Sequence, residues 1–503
     1  MSPTPARVRL PLSDGRPFST LLGMESITDI GRLARQPGTL TRARRVPHNR
    51  RMLLASWGAL LISVIAYATV TLATHSPFHV GTRALNEFDL RVYHGAAQRL
   101  ASGQNIYSAR ILRGLGFTYP PFAGLVFLPL ALASFTVDHD AVTAINVALL
   151  IWTLRRALLI PATSISEPPR PVTAWSIAAF AGAGAIWLEP ISVTLGYGQI
   201  NLLIAALVVF DLSLPDDRRG KGIAIGVAAA IKLTPLLFIV YLLLSGGWRA
   251  ATRAGAVFVG SIALAYALVP GDAASYWGNG RFLNTAHVGN PVDFGNQSLR
   301  GALLRLTHTS QLTAGGYLVI VVIVLAGLAL AVSATRRGDR AAGYSLAALT
   351  TLLASPISWT HHWTLVVPAL LLLARRAHDR RSPWLWAATG AIAVLGGAYA
   401  PEQLAHVDPL QYRGLLTIFT TDPYVLAAIL TLALTAVISA RSRRLLASSV
   451  THRHRPHRAR RGTGGLRRQV TEGSQPPLAS VDQEPAKSQQ TPAPAREDDF
   501  ALI

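Results

Sequence analysis

Residues 42–73 read RARRVPHNRRMLLASWGALLISVIAYATVTLA, so a basic cluster stands directly before an apolar run that covers residues 52–73. A run of this length can cross a bilayer as one helix, and no charged residue interrupts it. Basic residues beside a span favour the cytoplasmic side, so the run is predicted to end outside the membrane. The preceding 51 residues lack an apolar core of signal-peptide length, which favours a retained helix over a cleaved signal.

The whole chain has the composition of a membrane protein. Half of its 503 residues are hydrophobic, the mean hydropathy is +0.35, and only 14% are charged, against roughly 25% in soluble domains. The net charge of +22 comes from short basic clusters between apolar runs, a pattern that orients membrane helices and does not indicate nucleic-acid binding. No cysteine occurs, which excludes disulfides, thiolate catalysis and cysteine-based metal sites.

The basic clusters also set the predicted topology. The apolar run 120–135 is short for a span and precedes the acidic VDHD, so we expect an amphipathic helix in the outer interface there. The prediction is then an all-α polytopic protein with every basic loop inside and twelve crossings: 52–73, 141–160, 174–191, 199–214, 222–233, 234–246, 254–270, 314–334, 342–355, 361–375, 384–399 and 418–440. The segment 222–246 has room only for a tilted or broken hairpin.

Three regions follow from this pattern. Residues 1–51 form a polar, basic tail, residues 52–440 the transmembrane domain, and residues 441–503 a basic, disordered tail, with both tails in the cytoplasm of a plasma-membrane protein. The arginine-rich C-terminal tail is explained more simply as a topology signal that contacts membrane lipid than as a specific binding module.

The predicted topology collects the unusual polar residues on the outer face. Ionisable groups near a bilayer are costly, so their convergence indicates one outward-facing site. A transporter would instead place such groups near the membrane midplane between related halves, and no such symmetry is apparent, which favours an enzyme. The outer set contains Asp89, Arg91, Tyr93, His94, Tyr119, Glu189, Tyr197, Gln199, Asn201, Lys232, the loop 276–301 with Asn296, Gln297 and Arg300, and the pair His361 and His362.

A carboxylate facing cations at a membrane surface suits transfer from a lipid phosphate. The acid removes a proton from an incoming hydroxyl, and the cations hold the phosphate and its developing charge. A metal is not expected: among the outer acids only Asp138 and Asp140 of VDHD have the spacing of a divalent-ion motif, and acidic capping of a helix start explains them more simply.

Six blocks occur in order between about residues 80 and 375: FDLRVYHGAAQRLASGQNIY, FTYPPFAGLVFLPLAL, GYGQINLLIAALVVFDL, GVAAAIKLTPLLFIVYLLL, GNQSLRG and SPISWTHHW. Together they resemble glycosyltransferase family 87, the polyprenyl-phosphomannose-dependent α-(1→2)-mannosyltransferases of actinobacteria. The resemblance implies the GT-C fold and an outer-face transfer of mannose. The donor is a polyprenyl monophosphate, a substrate rather than a cofactor, and the acceptor is a mannose of a phosphatidylinositol mannoside, lipomannan or lipoarabinomannan.

A β-linked donor and an α-linked product further imply inversion through a single displacement. Two alternatives stay open: transfer of arabinofuranose or glucose from the same class of donor, and a transporter or flippase for lipid-linked sugars.

The resemblance also implies roles for charged residues. Asp89 stands where the family has its acid after the first helix, which implies a general base rather than a helix-capping or arginine-paired surface acid. Lys232 in AIKLTP is a candidate phosphate ligand, with a snorkelling interfacial lysine as the alternative. Arg91 is expected to be either the partner of Asp89 or a contact of the donor phosphate.

One of the two histidines is expected to hydrogen-bond the donor phosphate or the acceptor sugar, because adjacent side chains on a helix cannot both face one site. His362 is slightly preferred over His361. Tyr119 stays a candidate contact, although with Pro120 and Pro121 it is better explained as a rigid turn. The amide candidates for sugar hydroxyls, which capping and loop ordering explain equally well, are Gln199, Asn201, Asn296 and Gln297.

Overall fold

A computed structural model describes residues 48–74, 87–108, 111–112, 115–162, 168–404, 408–409 and 417–453 of the chain. The chain divides into two units, residues 1–51 and 52–503. The fold described below is that of the second unit. Only the first four residues of the first helix, His48–Thr74, belong to the first unit. The predicted N-terminal tail 1–51 therefore lies almost entirely outside the described residues, as does most of the predicted C-terminal tail 441–503.

The described part of the chain is all-helical and contains no β-strand, as predicted. Its helices are α1 (His48–Thr74), α2 (Phe88–Ala101), α3 (Pro121–Phe127), α4 (Phe135–Ala157), α5 (Pro171–Ala185), α6 (Glu189–Tyr197), α7 (Asn201–Leu212), α8 (Ile223–Ile231), α9 (Leu236–Leu244), α10 (Trp248–Leu268), α11 (Pro270–Ala273), α12 (Leu299–Thr307), α13 (Ala314–Arg336), α14 (Arg340–Ala354), α15 (Val367–Asp379), α16 (Pro383–Gly397), α17 (Ala400–Gln403), α18 (Ile418–Thr421) and α19 (Pro423–Arg453). Short 3-10 turns cover Leu128–Leu132, Arg281–Leu283, Thr285–His287 and Thr360–Val366, and a π turn covers Ala274–Gly278.

Five described helices are long and apolar enough to cross a membrane: α1, α4, α10, α13 and α19. Helices α5 and α6 form a sixth candidate span that bends by 80° at the break between them. Helix α3 with its following 3-10 turn, α7 and α16 are apolar but shorter. The chain is thus a multi-pass membrane protein, while the twelve crossings and the interfacial position of residues 120–135 stay predictions.

Several helix ends differ from the predicted boundaries, and the predicted crossing 174–191 is broken between α5 and α6. Helix α4 begins at Phe135 rather than at 141, because the Ser134 side chain accepts a hydrogen bond from the backbone N–H of Val137 and caps the helix. The VDHD segment thus lies within the helix instead of before it. Helix α19 continues to Arg453, into the segment predicted as a tail, since arginine is a good helix former once a helix has been started by an apolar span.

The segment 222–246 is the predicted broken hairpin. Helices α8 and α9 have nine residues each and are separated by the break that holds Lys232. The buried Asp211 carboxylate at the end of α7 accepts backbone N–H groups of Gly222 at 2.8 Å and Ala224 at 3.0 Å, which caps α8. Gly222 has φ 99°, and a Cβ there would collide with the Ala250 carbonyl, so only glycine allows this approach of α8 to α10.

Candidate functional site

A cavity of about 670 Å³ with several polar lining residues lies where α2, α6, the break after α8 and the end of α14 meet. Residues from segments far apart in the chain line it, so the fold rather than the local sequence assembles the cavity. Six of the ten predicted site residues line it: Asp89, Tyr119, Gln199, Lys232, His361 and His362.

Asp89 lies in the first turn of α2, and its side chain is mostly buried at the cavity wall. Burial raises the pKa of the Asp89 carboxyl to about 6, while a hydrogen bond with the Gln199 side chain and the charge of Lys232 oppose this rise. The carboxylate is therefore a stronger base than an ordinary aspartate and is still largely ionised at neutral pH, as a general base requires.

Gln199 orients the polar groups around Asp89. Its side-chain oxygen accepts hydrogen bonds from the Tyr93 hydroxyl at 3.0 Å, the Tyr119 hydroxyl at 3.2 Å and the Asn201 amide at 3.3 Å. The two tyrosine hydroxyls also lie 2.8 Å apart. With three donors on its oxygen, Gln199 must direct its N–H₂ group elsewhere, and this group is the donor available to the Asp89 carboxylate.

Lys232 follows the last residue of α8 in an extended conformation and lines the cavity. The ammonium donates to the side-chain oxygen of Asn201 at 2.8 Å and lies 5.3 Å from the centroid of the Tyr119 ring. An ammonium has three donors, so this one hydrogen bond leaves capacity for an anion in the cavity. Asn201 does not line the cavity, so it positions Lys232 from outside the cavity lining.

Both histidines line the cavity, with ring centroids 4.9 Å apart and nearly perpendicular planes. Both therefore reach the lining, unlike the expectation that only one of two adjacent side chains would, although residues 360–366 form a 3-10 turn rather than an α-helix. The His361 Nε2 lies 3.4 Å from the Gln199 amide nitrogen. The His362 Nδ1 is buried and makes no hydrogen bond of good geometry within the described ranges.

Arg91 does not line the cavity. Its guanidinium lies 3.7 Å from the Glu87 carboxylate and 4.0 Å from the centroid of the Phe135 ring, with 48% of the side chain exposed. Neither predicted role, partner of Asp89 or contact of the donor phosphate, has a geometric basis in this arrangement. Arg91 instead holds α2 against the start of α4.

Asn296 and Gln297 are fully buried outside the cavity lining. The Asn296 side-chain oxygen accepts the backbone N–H of Ser358 at 2.8 Å. The Gln297 amide donates to the carbonyl oxygens of Phe294 at 2.8 Å and Thr421 at 2.7 Å. Loop ordering, the alternative role considered for both amides, is the one that these contacts describe.

The loop 276–301 was expected at the outer site only as a whole, and neither its cavity-lining residues nor Trp359 was predicted individually. The loop contributes Tyr276, Phe282, Asn284, Thr285, His287 and Asp293 to the lining. The missed signal was the density of aromatic and polar residues in this loop and in the neighbouring SPISWTHHW segment.

The Asp and His side chains of the VDHD segment are paired with neighbouring side chains. An Asp138 carboxylate oxygen lies 2.6 Å from His94 Nδ1, and the His139 ring lies 3.1 Å from the Glu87 carboxylate. In the part of the chain that the structure describes, no group of three or more His, Asp or Glu side chains is arranged to hold a metal ion.

Comparisons with known proteins identify the same family that the six sequence blocks resemble. The family model for "Glycosyltransferase family 87" matches residues 117–356. The polyprenol-phosphate-mannose-dependent alpha-(1-2)-phosphatidylinositol mannoside mannosyltransferase of Mycolicibacterium smegmatis is 33% identical over 66% of this chain and 81% of its own length. A protein of the same name from Mycobacterium tuberculosis is 30% identical, over 66% and 79%.

A second Mycobacterium tuberculosis protein, a polyprenol-phosphate-mannose-dependent alpha-(1-2)-phosphatidylinositol pentamannoside mannosyltransferase, is 34% identical over 59% of this chain and 68% of its own length. No solved structure matches the chain significantly.

Proposed function

Because the chain belongs to glycosyltransferase family 87, we propose that it transfers mannose from polyprenyl-phosphate-mannose to a hydroxyl of a mannosylated glycolipid, forming an α-1,2 linkage. The observation that carries this proposal is a single cavity whose lining contains Asp89, Lys232 and two histidines. The names of the relatives point to a phosphatidylinositol mannoside as the acceptor class.

The proposed reaction is a single displacement at the anomeric carbon of mannose. An acceptor hydroxyl oxygen bonds to this carbon while the bond from the carbon to the donor phosphate oxygen breaks, and the electron pair leaves with the phosphate. Asp89 takes the proton of the attacking hydroxyl, which is general-base catalysis. One displacement inverts the anomeric configuration, as a β-linked donor and an α-linked product require.

The leaving phosphate gains negative charge and needs no proton of its own. Lys232 supplies a cation and His362 an imidazole at the cavity lining, so these two are the proposed phosphate ligands. His361, Gln199 and Tyr119 are proposed to contact the transferred sugar or to hold Asp89 in position. A metal-independent reaction is proposed, since these side chains can supply the charge stabilisation for which other transferases use a divalent ion.

We also propose that the cavity faces the extracytoplasmic side of the plasma membrane and that both termini are cytoplasmic. The basic loop PDDRRGK follows the far end of α7, whereas Asn201 at the near end supports the cavity residue Lys232. The cavity and this basic loop thus lie at opposite ends of one helix. Basic loops favour the cytoplasm, which supports an outward cavity.

The test is transfer by the purified full-length protein in lipid vesicles. Polyprenyl-phosphate-mannose labelled in the sugar is supplied with phosphatidylinositol mannoside, and a labelled glycolipid sensitive to an α-1,2-specific mannosidase is expected. Parallel reactions contain polyprenyl-phosphate-arabinose or polyprenyl-phosphate-glucose. Product from one of these donors alone would change the assigned sugar. Transbilayer movement of the donor without any product would favour a flippase.

A further inference from the structure

The cavity has a second group of lining residues that the proposed transfer step does not use. The group consists of Tyr276 and Phe282 from the outer loop, Asp293 near its end, and Trp359 just before the histidines. A carboxylate repels the donor phosphate, so this part of the lining is unsuited to the charged end of the donor. Aromatic faces and carboxylates suit a neutral sugar, whose C–H face packs on a ring and whose hydroxyls donate hydrogen bonds.

The backbone around Trp359 is held firmly. The N–H of Thr360 donates to the Gly295 carbonyl at 3.0 Å, and the N–H of His362 donates to the Trp359 carbonyl at 2.8 Å. Trp359 also forms an isolated antiparallel bridge with Asn296. The indole therefore projects from a segment tied both to the outer loop and to the histidine turn.

Two glycines let the outer loop lie directly against the indole ring. A Cβ on Gly289 would be 2.5 Å from Cζ2 of Trp359, and a Cβ on Gly295 would be 3.3 Å from its Cε3. Gly289 also has φ 148°, a backbone conformation that would be strained in a residue with a side chain. The loop backbone thus supports the six-membered ring without an intervening side chain.

Asp293 lies next to this ring. Its Oδ1 accepts the backbone N–H of Gly295 at 2.8 Å and lies 3.2 Å from the position of the same Gly295 Cβ that would contact the indole. The turn formed in this way holds the carboxylate beside the aromatic face. The side chain is exposed at the cavity, so its second oxygen can accept hydrogen bonds from a ligand.

We infer that Trp359 and Asp293 form the subsite for the acceptor: the indole packs against the C–H face of the acceptor's terminal mannose, and Asp293 accepts hydrogen bonds from hydroxyls that do not attack. This inference rests on the proposed function and specifies which wall binds the acceptor. The cationic wall with Lys232 then holds the donor phosphate, and the attacking hydroxyl lies between the two walls, within reach of Asp89.

The experiment measures initial rates of mannose transfer by the full-length protein in vesicles, varying phosphatidylinositol mannoside and polyprenyl-phosphate-mannose separately. Trp359→Ala is expected to raise the acceptor KM about tenfold while changing the donor KM less than about twofold. Trp359→Phe keeps an aromatic face and should recover most of the loss. Asp293→Asn is expected to raise the acceptor KM by a similar factor.

Two further variants sharpen the result. Gly289→Ala displaces the indole without removing it and should also raise the acceptor KM. Trp384→Ala removes a tryptophan that is 79% exposed in α16, away from the cavity, and should leave both KM values unchanged. If Trp359→Ala does not fold, as judged by size exclusion, Trp359→Phe and Asp293→Asn still report on the subsite.

Two results would overturn the inference: a donor KM that rises as much as the acceptor KM, or an acceptor KM that stays unchanged in both Trp359→Ala and Asp293→Asn. Neither result touches the proposed function as long as the wild-type protein makes product. A wild-type protein that makes no mannosylated product from this donor would instead contradict the proposed function itself.

Discussion

The Lys232 ammonium and the Asn201 side-chain oxygen form a hydrogen bond of 2.8 Å across the gap between the end of α8 and the start of α7. The amide of the same Asn201 donates to the His361 carbonyl at 3.0 Å. One buried side chain thus positions both the cavity cation and the histidine turn, although its residue type alone also suited a direct sugar contact.

This arrangement predicts that Asn201 acts on the donor through Lys232. Asn201→Leu removes the acceptor of the ammonium, so the lysine loses its fixed position, and the donor KM should rise about tenfold with little change in the acceptor KM. Rates measured with each substrate varied in turn check this. A rise confined to the acceptor KM would show instead that Asn201 serves the acceptor sugar.

Replacement of the proposed base should abolish turnover. Asp89→Asn keeps the shape of the side chain but cannot take a proton, so kcat should fall by about 10²–10⁴-fold, the usual contribution of general-base catalysis. The matched control is Asp217→Asn, which changes an exposed carboxylate in the loop after α7 and should retain full activity. Normal transfer by Asp89→Asn at normal protein levels would exclude the assigned role.

The raised pKa of Asp89 predicts a pH dependence. The base works only when ionised, so kcat/KM should increase with pH through about 6. The charge of Lys232 lowers this pKa, so Lys232→Met should move the acidic limb to higher pH. Profiles of both proteins, recorded with the same substrates, test the coupling. An acidic limb near the ordinary aspartate pKa of about 4 would contradict the raised pKa of Asp89.

The different surroundings of the two imidazoles predict unequal roles for the two histidines. His362→Ala should raise the donor KM more than His361→Ala does, because the His361 ring lies beside the Gln199 amide, whereas His362 lines the cavity without such a side-chain neighbour among the described hydrogen bonds. Binding of polyprenyl phosphate alone, without the sugar, separates this effect from catalysis. Equal losses in the two variants would mean that the pair acts as one unit.

A buried ion pair predicts where the outer loop is anchored. Arg305 and Asp422 are each 4% exposed, and Arg305 also donates to the carbonyl oxygens of Asp293 at 2.6 Å and Asn296 at 2.8 Å. Arg305→Met leaves a buried carboxylate without its cation, which should cost about 3–5 kcal/mol of folding stability. Thermal unfolding in detergent measures the loss. The double variant with Asp422→Leu should be more stable than Arg305→Met alone.

The sequence allowed the membrane class and the main cavity residues to be predicted, because ionisable side chains beside apolar runs are rare and stand out. Asp89, Lys232 and the two histidines were found in this way. The amides were not distinguishable by type: Gln199 lines the cavity while Asn296 is buried in the loop support, and only tertiary contacts separate the two.

Local geometry was harder to predict for a physical reason. Acidic residues favour both a capping position and the first turn of a helix, so VDHD could not reveal that Ser134 is the cap of α4. Likewise, no residue in the segment THHWTLV distinguishes a 3-10 turn from an α-helix, so the geometry of this turn was not predictable from the sequence.

The 3-10 turn at residues 360–366 also sorts its side chains by direction. Successive residues rotate by about 120° there, and after the two cavity histidines the next residue, Trp363, turns away into the core, 2% exposed, with its ring centroid 5.2 Å from that of Tyr424. Deleting one residue before this turn would place an indole where an imidazole now lines the cavity, and inserting one would place the Thr360 side chain there. The number of residues before the histidine pair is therefore constrained as strictly as the identity of the two histidines.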